Sequence, residues 1–90
     1  MQPYQGYVFR MLTAQGPQAS GGAYDYKVGD KLFGGFAVIA YPAAYGNTGV
    51  KTFIVNHEGV VHEKDLGPGT AAQAVRIQRY NPDKSWSPVK

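Results

Sequence analysis

Gly34-Gly35-Phe36-Ala37-Val38-Ile39-Ala40-Tyr41-Pro42 is the most apolar run in the chain, carries no charge and is closed by a proline. A run so short, rich in branched and aromatic residues, predicts a buried strand rather than a helix. Alternate side chains of a strand point to opposite faces. Phe36, Val38 and Ala40 therefore share one face, and Ala37, Ile39 and Tyr41 the other. Both faces are apolar, and that doubling organises the rest of the reading.

On the N-terminal side, Tyr7-Val8-Phe9-Arg10-Met11-Leu12-Thr13 predicts a second strand, with Tyr7, Phe9 and Met11 on one face and Val8 and Leu12 on the other. The stretch QGPQASGGA at 15–23 reads as a mobile loop. A short extended piece at 24–28 leads to a reversal at Gly29-Asp30. On the C-terminal side, residues 42–49 form a loop, and 50–55 a strand with Val50 and Ile54 against Phe53 and Val55. Asn56-His57-Glu58-Gly59 reads as a hairpin turn with Gly59 left-handed, returning through 60–64. Thr70 and Gln73 have the spacing of a capping box and predict a helix over 70–80, stopped by Asn81-Pro82. Residues 81–90 read as an irregular tail anchored by Trp86. The fold class is α+β: an antiparallel sheet of four or five strands with one short C-terminal helix. Residues 1–90 make a single domain, or the C-terminal part of a larger one.

The chain has 90 residues, 43% hydrophobic and 17% charged, with twelve glycines and six prolines, which suits a folded, turn-rich domain rather than a disordered tail. No apolar run approaches the ~20 residues of a membrane-spanning helix, and no charged-then-apolar leader opens the chain. With no cysteine, disulfides, thiolate metal sites and a cysteine nucleophile are excluded. A net charge of +3 permits anionic partners without requiring them.

The side chains that could carry chemistry do not assemble in the sequence. His57-Glu58, His62-Glu63 and Asp65 invite a metal reading, but the five-residue gap between the imidazoles spans a turn and a returning strand, not one helical turn. The expectation is no metal and no cofactor. Gly16, Gly21 and Gly22 lack the lysine and hydroxyl of a phosphate loop, and Gly34-Gly35 precedes a strand rather than a helix. Ser20, Ser85 and Ser87 sit in loop or tail, and Asp25 and Asp30 flank a turn, so no catalytic residue is expected. Arg76, Arg79, Lys84 and Lys90 gather near the C-terminus, but Asp83 interrupts them. They read as helix-end cations rather than a nucleic-acid surface.

Three strands with two apolar faces exceed what one helix of about three turns, roughly 16 Å long, can cover. Either the sheet closes on itself or loops and tail fold over it, or the second face is an interface. As an interface it would meet another copy, a missing N-terminal region or a partner's helix, since monomers seldom expose so much contiguous apolar surface.

The stretches Pro3-Tyr4-Gln5-Gly6-Tyr7, Leu12-Thr13-Ala14-Gln15-Gly16-Pro17, Gly21-Gly22-Ala23-Tyr24-Asp25-Tyr26, Gly34-Gly35-Phe36-Ala37 and Asp65-Leu66-Gly67-Pro68 resemble the C-terminal portion of an uncharacterised exported bacterial family, a domain of unknown function. That resemblance implies an extracellular or cell-envelope location. Ala40-Tyr41-Pro42, Tyr45-Gly46-Asn47-Thr48-Gly49-Val50-Lys51-Thr52-Phe53-Ile54-Val55 and Gly59-Val60-Val61 are similar to the sheet of type IV pilin and pseudopilin heads. There an antiparallel sheet packs on a long N-terminal helix, and this sequence contains no such helix. The resemblance implies that a longer precursor or another chain supplies it.

These readings converge on a non-catalytic structural subunit of an exported, pilin-like filament or envelope assembly. It would self-associate or pack against a partner helix through Phe9, Met11, Phe36, Val38, Val50 and Ile54, or through the opposite set. Tyr45, Asn47 and Gly49 would shape a loop available for contacts. The alternative is a small extracellular module that holds a glycan or peptide with Tyr24, Tyr26, Tyr41 and Tyr45.

Overall fold

A computed structural model of the chain describes residues 5–32 and 34–89. Pro3 and Tyr4 of the first family-like stretch, and Lys90 of the basic group, lie outside these residues. The strands are β1 (Tyr7–Leu12), β2 (Ala14–Gln15), β3 (Tyr24–Asp25), β4 (Lys27–Val28), β5 (Lys31–Leu32), β6 (Ala37–Pro42), β7 (Lys51–Asn56) and β8 (Val61–Asp65), followed by helix α1 (Thr70–Ala74) and strand β9 (Ser87–Pro88). Five of them form an antiparallel sheet in the order β1-β6-β7-β8-β9, while β2-β3 and β4-β5 are two-residue ribbons. The apolar run that opened the sequence reading is β6, second in the sheet and flanked on both sides. Its neighbour β7 meets β8 through the expected turn, where Gly59 takes φ 85° and its amide donates to the Asn56 carbonyl at 2.9 Å.

The core lies on one face only. Leu12 from β1, Ala37, Ile39 and Tyr41 from β6, and Ile54 from β7 are buried there beneath Ala19, Tyr26, Ala74 and Tyr80, with Val8, Leu66, Ile77 and Trp86 packed around them. The cover is thus assembled from a loop, a ribbon flank, the helix and the chain after it, rather than from one long helix.

Three expectations need correction. The glycine-rich stretch is pinned from within. The buried Gln15 side-chain amide donates to the carbonyls of Ser20 (2.8 Å) and Gly22 (2.7 Å) and accepts from the Tyr26 hydroxyl (2.8 Å). The Gly16 amide also donates to the Tyr80 carbonyl, and the Gln18 amide to the Asn81 side chain. Composition gave no hint of a buried glutamine able to satisfy the loop's own carbonyls.

The helix is five residues long, and its N-cap is Gly69, with no side-chain cap. The Thr70 hydroxyl and the Gln73 amide instead donate backward to the carbonyls of Gly67 and Leu66, so the expected reciprocal capping does not form. Beyond Ala74 the β-branched Val75 and Ile77 disfavour helix. Arg10, reaching across from β1, captures the freed carbonyls of Ala74 (2.7 Å) and Ile77 (2.6 Å). The tail is not wholly irregular either. Ser87 and Pro88 pair with Glu63 and His62 as an edge strand, and the Val89 amide donates to the Val61 carbonyl.

Candidate functional site

Strand register sets what the other face of the sheet displays. Phe9 of β1 lies opposite Ala40 of β6, which lies opposite Phe53 of β7; the next row is Met11, Val38 and Val55. Opposite residues in an antiparallel pair share a face. Small Ala40 therefore forms a floor between two phenylalanines, and a concavity of about 360 Å³ is lined there by Tyr7, Phe9, Val38, Ala40, Phe53 and Val55. The Tyr7 and Phe53 rings meet at 6.0 Å between centroids and close one end of it. At the other end Met11 is 50% exposed, and Phe9 beside it 46%.

Of the six residues expected at an interface, Phe9, Met11 and Val38 lie on this open face. Ile54 does not: it faces Ile39 and His62 in the core and is 1% exposed. The β6–β7 register pairs even-numbered β6 residues with odd-numbered β7 residues, so Phe53 and Val55 take the position expected for Ile54. Position parity within each strand was readable; the phase between strands depends on loop geometry that composition does not encode. Phe36 and Val50 fall one residue outside β6 and β7 and are exposed. The Phe36 carbonyl accepts from the His57 amide at 3.1 Å, and its ring lies 6.1 Å from the imidazole.

The 43–50 loop is internally braced. The Tyr45 hydroxyl donates to Asp65 Oδ1 at 2.7 Å, raising the tyrosine's pKa and, with the Gly67 amide, lowering the carboxylate's. Asn47 is exposed at the loop tip, and its amide donates to the Ala44 carbonyl at 3.0 Å. Gly49 is required by space, because a Cβ there would fall 2.4 Å from the Tyr7 hydroxyl oxygen.

Of the four tyrosines of the alternative reading, Tyr24 and Tyr26 meet edge to face at 5.4 Å between centroids, but the set does not form one exposed surface. Tyr26 and Tyr41 are buried in the core, and burial raises the pKa of Tyr26. The imidazoles also diverge: His57 stands beside Phe36 and Tyr26, whereas His62 stands beside Tyr80. Among the described residues no three His, Asp or Glu side chains come together as a metal site would require.

With this geometry in place, comparison with known families is informative. A family model described as "Protein of unknown function (DUF2950)" matches residues 1–89. The chain belongs to this family. No curated protein and no solved structure matches it, so the pilin-like resemblance draws no support from a relative. In this DUF2950 domain the sheet's open face presents a concavity lined by apolar side chains, and no helix among the described residues is long and apolar enough to cross a membrane.

Proposed function

We propose that this chain is a non-catalytic structural subunit of an exported or envelope assembly, and that its open sheet face packs against an apolar helix supplied from elsewhere. The observation that carries the reading is the row Phe9-Ala40-Phe53, a small residue flanked by two large ones on a half-exposed face. Strands β1 and β7 stand two strand spacings apart, roughly 9.6 Å. That matches the ~10–12 Å width of a helix with its side chains. One or two large side chains of such a helix would fill the hollow over Ala40 as knobs fill holes. Pilin heads bury a sheet of this size in that manner, and the finer filament assignment rests on that architectural agreement alone.

A hydrophobic dye should bind the purified chain, and Val38→Lys should abolish the signal while leaving the fold intact. A Leu-rich amphipathic helical peptide, titrated against isotope-labelled protein, should perturb amides of β1, β6 and β7 together. A chain that stays monomeric, binds no dye and shows no such perturbation would defeat the reading.

A further inference from the structure

On the covered side of the sheet, opposite the open face, the chain after α1 and the segment carrying Trp86 part to leave a cleft of about 390 Å³. That volume lies within the ~300–1,000 Å³ usual for small-ligand sites. Ile54 and Ile77 supply its apolar lining, Trp86 an aromatic one, and Gln78 and Asn81 two side-chain amides. Among the described residues the charged ones lining it are Arg76 and Arg79, and Arg79 also borders a neighbouring hollow beside Asp25.

These two arginines have no structural employment. The helix end that would otherwise hold them is at Ala74, and Arg10 already takes the carbonyls of Ala74 and Ile77. The Arg76 backbone amide donates to the Gln73 carbonyl at 3.1 Å, but neither guanidinium forms a hydrogen bond or ion pair among the described residues. The nearby Asp83 is occupied: its Oδ1 accepts from the Ser85 amide at 2.8 Å and from the Ser85 hydroxyl, which hold the carboxyl below its ordinary pKa. Trp86 is steadied from outside the cleft, where Lys64 Nζ lies 5.8 Å from the ring centroid and donates to Ser85 Oγ at 2.8 Å. Asn81 Oδ1 already accepts from the Gln18 amide at 2.8 Å, which leaves the side-chain nitrogen as a donor.

We propose that this cleft binds a carboxylated sugar, a hexuronate unit of an acidic glycan. Two unpaired guanidinium forks match a carboxylate. The Trp86 indole and Ile77, with buried Ile54 beneath them, offer an apolar bed for the C–H face of a pyranose ring, and the amides of Gln78 and Asn81 suit its hydroxyls. A purely aliphatic acid would leave both amides unanswered, and a neutral sugar would leave both cations so. This inference is independent of the open-face reading, because its residues lie on the opposite side of the sheet.

Trp86 is the single tryptophan of the chain, so intrinsic fluorescence reports on the cleft directly. Trigalacturonate should change the emission saturably, while maltotriose and sodium acetate at equal ionic strength should not. The double variant Arg76→Gln/Arg79→Gln should weaken binding by about tenfold or more, the scale expected for losing charge-assisted forks. Both positions are exposed, so its thermal midpoint should stay unchanged; Arg79→Gln alone should show a smaller loss in the same direction. The proposal is overturned by an absent response, by an equal response to maltotriose or acetate, or by unaltered binding in the double variant. A saturable response to a peptide with a free C-terminal carboxylate, with none to trigalacturonate, would overturn it as well.

Discussion

The two faces of the five-stranded sheet are built from the same strands with similar apolar content, yet they end in different states. On one, Leu12, Ile39 and Ile54 are each no more than 1% exposed; on the other, Phe9 and Met11 keep about half their surface in water (46% and 50%). The difference is not in the strands but in where the rest of the chain goes. Ala19, Tyr26, Ala74 and Tyr80 all gather on one side, drawn by the Gln15 network and the Arg10 clamp. An apolar stripe along a strand thus specifies that it wants cover, not which polypeptide provides it.

The sharpest way to break this comparison is to make similar cuts on both faces. Ile54→Ala should cost ~2–5 kcal/mol, the range for a cavity in a packed core, whereas Met11→Ala should stay within ~0.5 kcal/mol, as at most surface positions. Chemical denaturation of the two variants measures both; equal losses would mean the open face is already covered. Arg10→Met keeps the stem but removes the bonds to Ala74 and Ile77, and a loss of about 2 kcal/mol is expected for charge-assisted bonds in a half-buried setting. Thr52→Val tests the covered face in the opposite direction. The Thr52 hydroxyl is buried with no partner among the described residues, so the isosteric change should stabilise by about 1 kcal/mol in the same assay.

The smallest effect is at the surface pair of Tyr45 and Asp65. A carboxylate whose folded pKa lies below its unfolded one adds stability that is complete above the ordinary carboxylate range and fades as pH falls through the lowered value. Tyr45→Phe should therefore flatten the acid limb of the thermal midpoint between about pH 6 and about pH 2. Near neutrality the variant should lie below the parent by a constant offset, with the same slope.

The large periodic elements were readable because their signal is local. Strands β1, β6, β7 and β8 and the turn at Gly59 follow from branched residues bounded by glycine and proline. What escaped the sequence is what depends on pairs distant along the chain. The phase that places Phe53 and Val55, not Ile54, beside Val38 comes from register. The order in the glycine-rich loop comes from one glutamine, whose burial has no compositional sign. The truncated helix reflects Arg10, a residue whose lone charge on an otherwise apolar face of β1 was the one available clue. Of the cleft, Arg76, Arg79 and Trp86 stood out in the sequence, but only the fold brings Ile54 beneath them.

The span of the Arg10 clamp bears on when it can close as the chain collapses. Its two acceptors lie 64 and 67 positions away, so the bonds close only after the strands have aligned and the last third of the chain has docked. Interactions completed after the rate-limiting step leave refolding speed almost untouched and accelerate escape from the native state instead. This one guanidinium is therefore expected to act as a latch on the finished molecule: in Arg10→Met unfolding should quicken while refolding speed holds, two rates that denaturant-jump kinetics measure.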